Sequence, residues 1–388
     1  MRHPLALCLL LAACGPRTAP ESTTAIPEAA PPPPPAPIAA PPAGPCPCGE
    51  SPLFLVQVDG LIGHIDCLGN VLVKPQYNNG ALTTGRLGIV EVDHKYGYID
   101  ATNKTIIPPR FDNADEFTEG LAAVRIADKW GFIDVKGDAV IAPQFADVQA
   151  FADGLAAVAV EQAHSGMGHV IHSKWGYIDS TGALKIEARF GSAGQFANGL
   201  AAVTSETTRS RHGHTADNGW GFIDRTGREV IALQYQRALR FSDGLAAVQT
   251  GEQWGYIDAA GKTVVAPQYN RADSFSEGLA AVRIADKWGY IDRQGTMVIP
   301  ATYSRAGRFS EGLAAVEIGG ATLEMSIADS MKATPRTGFI DPKNTMVADT
   351  GDVDAEPLHC GLARFTRGYS KQRGYLDRTG KIVWAPSD

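Results

Sequence analysis

The chain has 388 residues, of which 44% are hydrophobic and 20% are charged. This composition supplies enough apolar side chains to bury a core and excludes a chain that is disordered throughout. The formal net charge of -7 repels phosphate backbones, so nucleic acid is not expected as a partner.

The N-terminus carries a targeting signal. An apolar run from Leu5 to Leu11 leads into Leu-Ala-Ala-Cys-Gly, which ends at Gly15. Small residues before a cysteine form a lipobox, so we expect residues 1–13 to be a lipoprotein signal peptide and Cys14 to carry the lipid. The alternative is an ordinary secretory signal in which Cys14 is incidental. Lipidation predicts a protein anchored in the bacterial cell envelope, at the outer membrane, on its periplasmic or surface face.

Residues 14–50 follow as a linker rich in Pro and Ala, with five consecutive prolines from Pro31 to Pro35. Such a segment buries almost nothing and favours extended polyproline conformations. We therefore expect a spacer between the lipid and a folded body at residues 51–388.

The body is repetitive. A core of Gly, an aromatic residue or its substitute, Ile or Leu, and Asp recurs at Gly63, Gly97, Gly131, Gly176, Gly221, Gly255, Gly289, Gly338 and Gly374. The basic interval is 34 residues, as between Gly255 and Gly289, and three longer intervals contain insertions. Within a unit, short apolar stretches alternate with turn residues, which predicts about three short strands per unit.

The turn after each core is predicted to be structural. Asp is followed three residues later by Gly in seven copies: Asp66, Asp134, Asp179, Asp224, Asp258, Asp292 and Asp377. Asp suits the first position of a type I turn, and Gly tolerates the left-handed backbone that follows. The other two copies have Asn103 and Asn344 in place of Gly, which also tolerate this geometry. Calcium binding is the weaker alternative, because each turn offers only one carboxylate.

Five tryptophans precede the core glycine: Trp130, Trp175, Trp220, Trp254 and Trp288. Each lies two residues before a second aromatic side chain, so both rings of a pair face the same side of a strand. They are interpreted as the core seam of the array, because a Gly between two large rings suggests close packing. The other interpretation is a ladder of exposed rings that stack on sugars or peptides.

The landmarks resemble those of the bacterial WG (KWG) repeat family. They are Lys-Trp-Gly-Tyr-Ile-Asp at Lys287–Asp292, Lys-Trp-Gly-Phe-Ile-Asp at Lys129–Asp134, and Phe-x-x-Gly-Leu-Ala-Ala-Val in several units. The resemblance covers residues 53 to 388, with departures in the first and last units that are expected of capping repeats. It implies a repeat protein and no particular chemistry.

The predicted fold is all-β, a tandem array of about nine three-stranded β-meanders. A propeller blade usually has four strands and 40 or more residues, so a 34-residue unit favours an open, twisted solenoid. A closed ring like a β-propeller is the alternative.

Four cysteines remain after Cys8 and Cys14 are set aside: Cys46, Cys48, Cys67 and Cys360. An even number in an exported protein suggests disulfides. We expect Cys46 or Cys48 to pair with Cys67, which is compatible with an open array, and the other to pair with Cys360. Free or mixed thiols are the alternative.

Two insertions are rich in histidine, with His164, His169 and His172 in one and His212 and His214 in the next. Imidazoles from neighbouring loops could bind zinc, copper or nickel. Solvated loops are the preferred interpretation, because no carboxylate or cysteine accompanies the histidines at fixed spacing. No metal and no other cofactor is expected.

The sequence has no nucleophile elbow, phosphate-binding loop or zinc-protease motif. We therefore expect a non-enzymatic, envelope-anchored scaffold that binds a protein partner. A glycan- or cell-wall-binding module that uses exposed aromatic rings is the alternative function.

Overall fold

The computed structural model describes residues 53–81, 87–164, 170–205, 219–319, 336–351, 353–367 and 372–386. Every regular element in these ranges is a β-strand. No helix that is long and apolar enough to cross a membrane occurs among them. The predicted signal peptide and linker lie outside the described residues.

The strands follow one another along the chain as β1 (Phe54–Val58), β2 (Leu61–Ile65), β3 (Val71–Tyr77), β4 (Asn79–Ala81), β5 (Gly88–Val92), β6 (Lys95–Ile99), β7 (Thr105–Phe111), β8 (Asn113–Ala114), β9 (Ala122–Ile126), β10 (Lys129–Ile133), β11 (Ala139–Phe145), β12 (Asp147–Val148), β13 (Ala156–His164), β14 (Val170–Ile178), β15 (Leu184–Ala193), β16 (Leu200–Ser205), β17 (Trp220–Asp224), β18 (Glu229–Tyr235), β19 (Arg237–Ala238), β20 (Leu245–Thr250), β21 (Gln253–Asp258), β22 (Thr263–Tyr269), β23 (Arg271–Ala272), β24 (Leu279–Ile284), β25 (Lys287–Asp292), β26 (Met297–Tyr303), β27 (Arg305–Ala306), β28 (Ala314–Ile318), β29 (Arg336–Ile340), β30 (Met346–Gly351), β31 (Val353–Ala355), β32 (Leu362–Arg367), β33 (Gln372–Asp377) and β34 (Ile382–Trp384).

These strands form antiparallel meanders in sequence order. The first meander has three strands, and most of the others have four, as in β23-β24-β25-β26. One seven-stranded sheet, β12 to β18, joins two such units because the end of β15 also pairs with β16. We call each unit a blade, which makes nine blades in the described chain. Their strands are named a to d, where a is the short first strand, b carries Leu-Ala-Ala-Val or its equivalent, c carries the Gly-aromatic core, and d follows the Asp turn.

The predicted three strands per unit therefore omitted strand a. In blades 6 and 7, strand a (β19 and β23) is only two residues long. It begins two residues after the end of the preceding strand d. Because no Gly or Pro turn separates the two strands, turn signals alone could not reveal it. A four-stranded blade thus fits into 34 residues.

Strand b shows how each blade packs on both faces. In β24, Leu279 and Ala281 contact the cluster shared with blade 8, whereas Ala280 and Val282 contact the cluster shared with blade 6. This alternation is the period of two expected of a strand. The small alanines allow bulky rings of the neighbouring blade to approach.

The glycine of the core is required by a close contact within the blade. A Cβ atom at Gly255 would lie 2.5 Å from the carbonyl oxygen of Val265 on strand d. The pairing of β21 with β22 shifts register at this point, which brings the strand d backbone over the glycine. A larger residue would push the two strands apart.

The Asp turns have the predicted structure. In the copy at Asp292, the side-chain Oδ1 accepts hydrogen bonds from the backbone N–H groups of Gln294 and Thr296, at 3.0 and 2.8 Å. Gly295 has a φ of +83° and donates to the backbone oxygen of Asp292. Asn103 and Asn344 both have a φ of +65°. Local hydrogen bonds therefore occupy these carboxylates.

The first and last blades are in contact. Nine clusters of buried hydrophobic residues occur in the described chain, and each joins two adjacent blades. An open row has one junction fewer than it has blades. The additional cluster places Phe54 and Val56 of blade 1 against Leu362 and Tyr375 of blade 9. The array is therefore a closed, propeller-like ring. The sequence analysis favoured an open solenoid and gave the closed ring as the alternative.

The contact between blades 9 and 1 is made by the same kinds of side chain as the contacts between consecutive blades. In six junctions, the aromatic ring after the core glycine packs edge-on or tilted against a Phe of the next blade, with centroids 4.8 to 5.0 Å apart. Where this ring is Tyr, as in Tyr290, its hydroxyl donates to a backbone oxygen 17 residues further on, at 2.8 Å. Tyr375 packs against Phe54, with centroids 5.4 Å apart, and donates to the oxygen of Leu55 at 2.8 Å. Burial raises the pKa of Tyr375 and of Tyr290, so both hydroxyls keep their protons.

Candidate functional site

The two edges of the ring carry different loops. One edge carries the Asp turns and the turns before strand b, such as Glu277-Gly278. Here Glu277 Oε2 accepts a hydrogen bond from the N–H of Gly312 in the next blade, at 2.8 Å. Equivalent bonds use Glu119, Asp153, Asp243 and Glu311. These acidic residues link blades, a role that sequence reasoning missed because the acceptor lies one repeat away from the donor.

The opposite edge carries the hairpins between strands b and c, and all three insertions fall in these hairpins. His164 ends β13 and His172 lies on β14, where its register partner is Ala163. His169, His212 and His214 lie outside the described residues. No group of three or more potential metal ligands is found in the part of the chain that is described.

Cys67 and Cys360 are both disulfide-bonded. Both are buried in the cluster that closes the ring between blades 1 and 9. Cys14, Cys46 and Cys48 lie outside the described residues. Thus two of the four predicted half-cystines belong to the closing junction.

The tryptophans lie mainly in the junctions between blades. Trp175 and Trp254 are only 9% and 5% exposed, and each belongs to a junction cluster. Trp130, Trp220 and Trp288 are half-buried and pack against such clusters. The rings of Trp175 and Trp254 therefore lie in the core, whereas the three half-buried rings leave part of their surface uncovered.

A row of short-strand residues runs past these tryptophans. Each of its members opposes the residue on strand b that follows Leu-Ala-Ala-Val or its equivalent: Asn79, Asn113, Asp147, Ser192, Arg237, Arg271, Arg305 and Asp354. We call these residues the strand-a row. Adjacent members are within reach of each other, because Nη1 of Arg305 lies 2.9 Å from Oδ2 of Asp354 in the next blade.

Three consecutive blades place arginine in this row, and two of the three arginines are unpaired. Arg305 pairs with Asp354 and lies 3.9 Å from Glu317. Arg237 and Arg271 are exposed, and among the described contacts neither side chain makes a hydrogen bond or an ion pair. The repeated Tyr-x-Arg-Ala at Tyr235, Tyr269 and Tyr303 is the sequence signal that could have revealed this feature.

The two unpaired arginines line a surface groove of about 720 Å³ across blades 5, 6 and 7. We call it the Arg-Trp groove; it is lined by Trp220, Arg237, Ala238, Leu239, Trp254, Arg271, Ala272, Asp273, Arg283 and Trp288. Three guanidinium groups face one carboxylate, so the groove is positive although the whole chain is acidic. A smaller cavity of about 250 Å³ lies beside Arg305, where acidic residues balance the charge.

The strand order explains why the groove forms here. Trp288 and Arg283 are register partners on strands c and b of blade 7, and Arg271 is the partner of Arg283 on strand a. The groove therefore follows one transverse row of each blade, near the hairpin edge. In the equivalent row of blade 3, the guanidinium of Arg125 lies 5.9 Å from the ring centroid of Trp130.

Comparison with known proteins gives a family and a fold. The pattern of the WG containing repeat matches residues 96–130, 130–162, 175–205, 220–254, 254–288 and 288–320. No curated protein sequence matches the chain. The crystal structure of a eukaryotic initiation factor is similar, with a TM-score of 0.57 and 10% identity, over 87% of this chain and 95% of that chain. Apo AztD from Citrobacter koseri has a TM-score of 0.41 and 13% identity, over 87% and 94% of the two chains. At such identities, the initiation factor shares the fold alone.

Proposed function

Because this chain belongs to the family built from the WG containing repeat, we propose that it is a lipid-anchored, non-catalytic scaffold of the bacterial cell envelope that binds a partner protein. The Arg-Trp groove is the observation that carries this proposal. Tryptophan and arginine are the side chains most enriched among residues that dominate protein interfaces. A groove that combines them and is not balanced by carboxylates suits recognition better than the rest of the acidic surface.

Two recurring sets of carboxylates are engaged within the fold. Each Asp turn uses its carboxylate in local hydrogen bonds, and the acidic residues before strand b bond to neighbouring blades. Neither set is available as an acid or base beside a nucleophile. This assignment of the carboxylates supports a binding role.

Glycan binding by exposed aromatic rings is less well supported. Stacking on a sugar needs an accessible ring face, whereas Trp175 and Trp254 are 9% and 5% exposed. Trp220 and Trp288 leave only part of their rings at the groove. These partial surfaces suit flanking contacts to a peptide more than stacking on a sugar.

The anchor is tested by replacing Cys14 with serine. We expect wild-type protein in the membrane fraction and labelled by radioactive palmitate, and Cys14→Ser unlabelled and absent from that fraction, because the lipid attaches to sulfur. Cys8→Ser is the matched control and should behave like wild type. Palmitate labelling of Cys14→Ser would contradict the anchor.

The scaffold role is tested by photo-cross-linking in intact cells. A p-benzoylphenylalanine residue replaces Arg237 in the groove, and Lys343 on the Asp-turn edge serves as the control position. We expect a discrete adduct only from position 237, which a protease digests and glycan hydrolases leave intact. An adduct removed by glycan hydrolases would favour the glycan function, and the absence of any adduct would contradict the scaffold.

A further inference from the structure

We propose that the Arg-Trp groove recognises an acidic, extended segment of the partner protein, with side-chain carboxylates bound by Arg237 and Arg271. This inference rests on the proposed scaffold function and specifies the chemistry of its partner. It is carried by charge, by burial and by the edge that strand a presents.

The charge argument comes from comparison within the ring. Arg305 occupies the same register position as Arg271, one blade further along, and it is neutralised by Asp354 at 2.9 Å. Arg271 is followed instead by Arg305, and Arg237 is followed by Arg271. Like charges on adjacent blades repel each other, which costs stability unless an anion lies between them. A carboxylate bound between Arg237 and Arg271 would neutralise their charges, as Asp354 neutralises Arg305.

A third guanidinium also lacks a complete set of acceptors. The Nε of Arg283 is buried and has no hydrogen-bond partner among the described residues. A buried N–H without an acceptor is costly, and arginine binds carboxylates through two parallel hydrogen bonds. Arg283 is the register partner of both Arg271 and Trp288, so its guanidinium belongs to the same groove.

The shape of the site favours a peptide strand. Strands β19 and β23 are the edge strands of their blades, so their outer backbone groups have no strand partner in the described sheets. An extended peptide can bond to such edges while its alternate side chains point into the groove. The apolar walls formed by Leu239 and the partly covered Trp220 and Trp288 would contact the stems of those side chains. The occupant is therefore an acidic peptide, and an anionic glycan becomes an outcome of the test.

The test measures binding of a fluorescein-labelled decaglutamate peptide to the lipid-free full body, from residue 15 onward, by fluorescence anisotropy at low salt. We expect Arg237→Glu/Arg271→Glu to weaken binding at least tenfold, since it removes two charge-assisted contacts and adds repulsion. Lys262→Glu/Lys343→Glu makes the same change in net charge at the Asp turns, away from the groove, and should change the dissociation constant less than twofold. Equal weakening in both double variants would show a non-specific charge effect and overturn the site.

Two further variants keep the proposal falsifiable if charge reversal harms folding. Arg237→Lys/Arg271→Lys retains the charge but loses the bidentate geometry, and should weaken binding about threefold or more. Asp354→Ala removes the ion-pair partner of Arg305. A third guanidinium of the strand-a row then becomes available to the peptide, so binding should tighten at least twofold. Unchanged binding in both variants would overturn the assignment of carboxylate recognition to the strand-a row.

The nature of the occupant is decided by competition. Unlabelled decaglutamate should displace the labelled peptide at a concentration at least tenfold below that of an oligogalacturonate with ten carboxylates. Equal or better competition by the sugar would overturn the peptide assignment. If decaglutamate does not bind but position 237 still forms a protein adduct in cells, acidic recognition fails and the scaffold stands. If decaglutamate binds and no protein adduct forms, the scaffold function fails.

Discussion

Replacing Trp254 by alanine is expected to lower the free energy of unfolding by about 3 to 5 kcal/mol. The side chain is 5% exposed and packs with Tyr256, Tyr269 and Phe275 in the junction between blades 6 and 7. The deletion leaves a cavity in a junction that stabilises both blades, so neighbouring units lose contacts as well. Urea unfolding followed by tryptophan fluorescence and circular dichroism measures the change.

The matched control is Val264→Ala in strand d of the same blade. Val264 is 39% exposed, and its truncation is expected to cost less than about 1 kcal/mol. Trp254→Phe should lie between the two, because a smaller ring fills part of the cavity. Equal unfolding midpoints for Trp254→Ala and Val264→Ala would contradict the placement of this ring in the core and would leave it available for a ligand.

His64 is expected to make the protein sensitive to acid. It occupies the position of the core aromatic residue in blade 1, is fully buried, and neither ring nitrogen has a hydrogen-bond partner in the described structure. Burial lowers the pKa of His64 from 6.5 to about 4. The space for the ring depends on Gly88, where a Cβ atom would lie 2.9 Å from it. Gly88 beside the imidazole and the register partners of His64, Leu55 and Val73, carry no charge.

The direction of the pH effect follows from the two pKa values. The folded state favours neutral His64, so its contribution is complete above pH 6.5 and is lost as the pH falls from 6.5 towards 4. The loss reaches about 3 kcal/mol at pH 4. Blades 1 and 2 should separate first when the pH falls, because the buried cluster at their junction has only Val73, Val90 and Ile99.

Unfolding free energies at pH 7.0 and 4.5 test this expectation. His64→Phe places at this position the residue found in blades 3, 5 and 8, and should be more stable than wild type at pH 4.5 by about 2 kcal/mol more than at pH 7.0. His94→Phe changes an exposed histidine of a hairpin, whose Nδ1 lies 3.4 Å from Oε1 of Glu91, and it should alter the difference less than His64→Phe does. An equal pH dependence in wild type and His64→Phe would contradict the assignment.

The repeat unit could be predicted from the sequence because its features depend on residues that are close together in the chain. The nine core glycines, the Asp turns and the alternation along Leu-Ala-Ala-Val all depend on residues within a few positions of each other. Turn geometry and the two-residue period of a strand are decided at this range. Strand a escaped detection because it is only two or three residues long in most blades and depends on its partner in strand b.

Contacts between units were decided only by the tertiary structure. The hydroxyl of Tyr375 reaches Leu55 across almost the whole chain, and no local pattern distinguishes this contact from those that join consecutive blades. Closure depends on the small rotation from one blade to the next, summed around the ring, which a single unit does not encode in a readable form. The Arg-Trp groove has the same origin, because Arg237, Arg271 and Trp288 meet only when blades stack in register. The sequence by itself therefore determined the all-β repeat and its turns, whereas the stacking of the blades decided the closed ring and the positive groove.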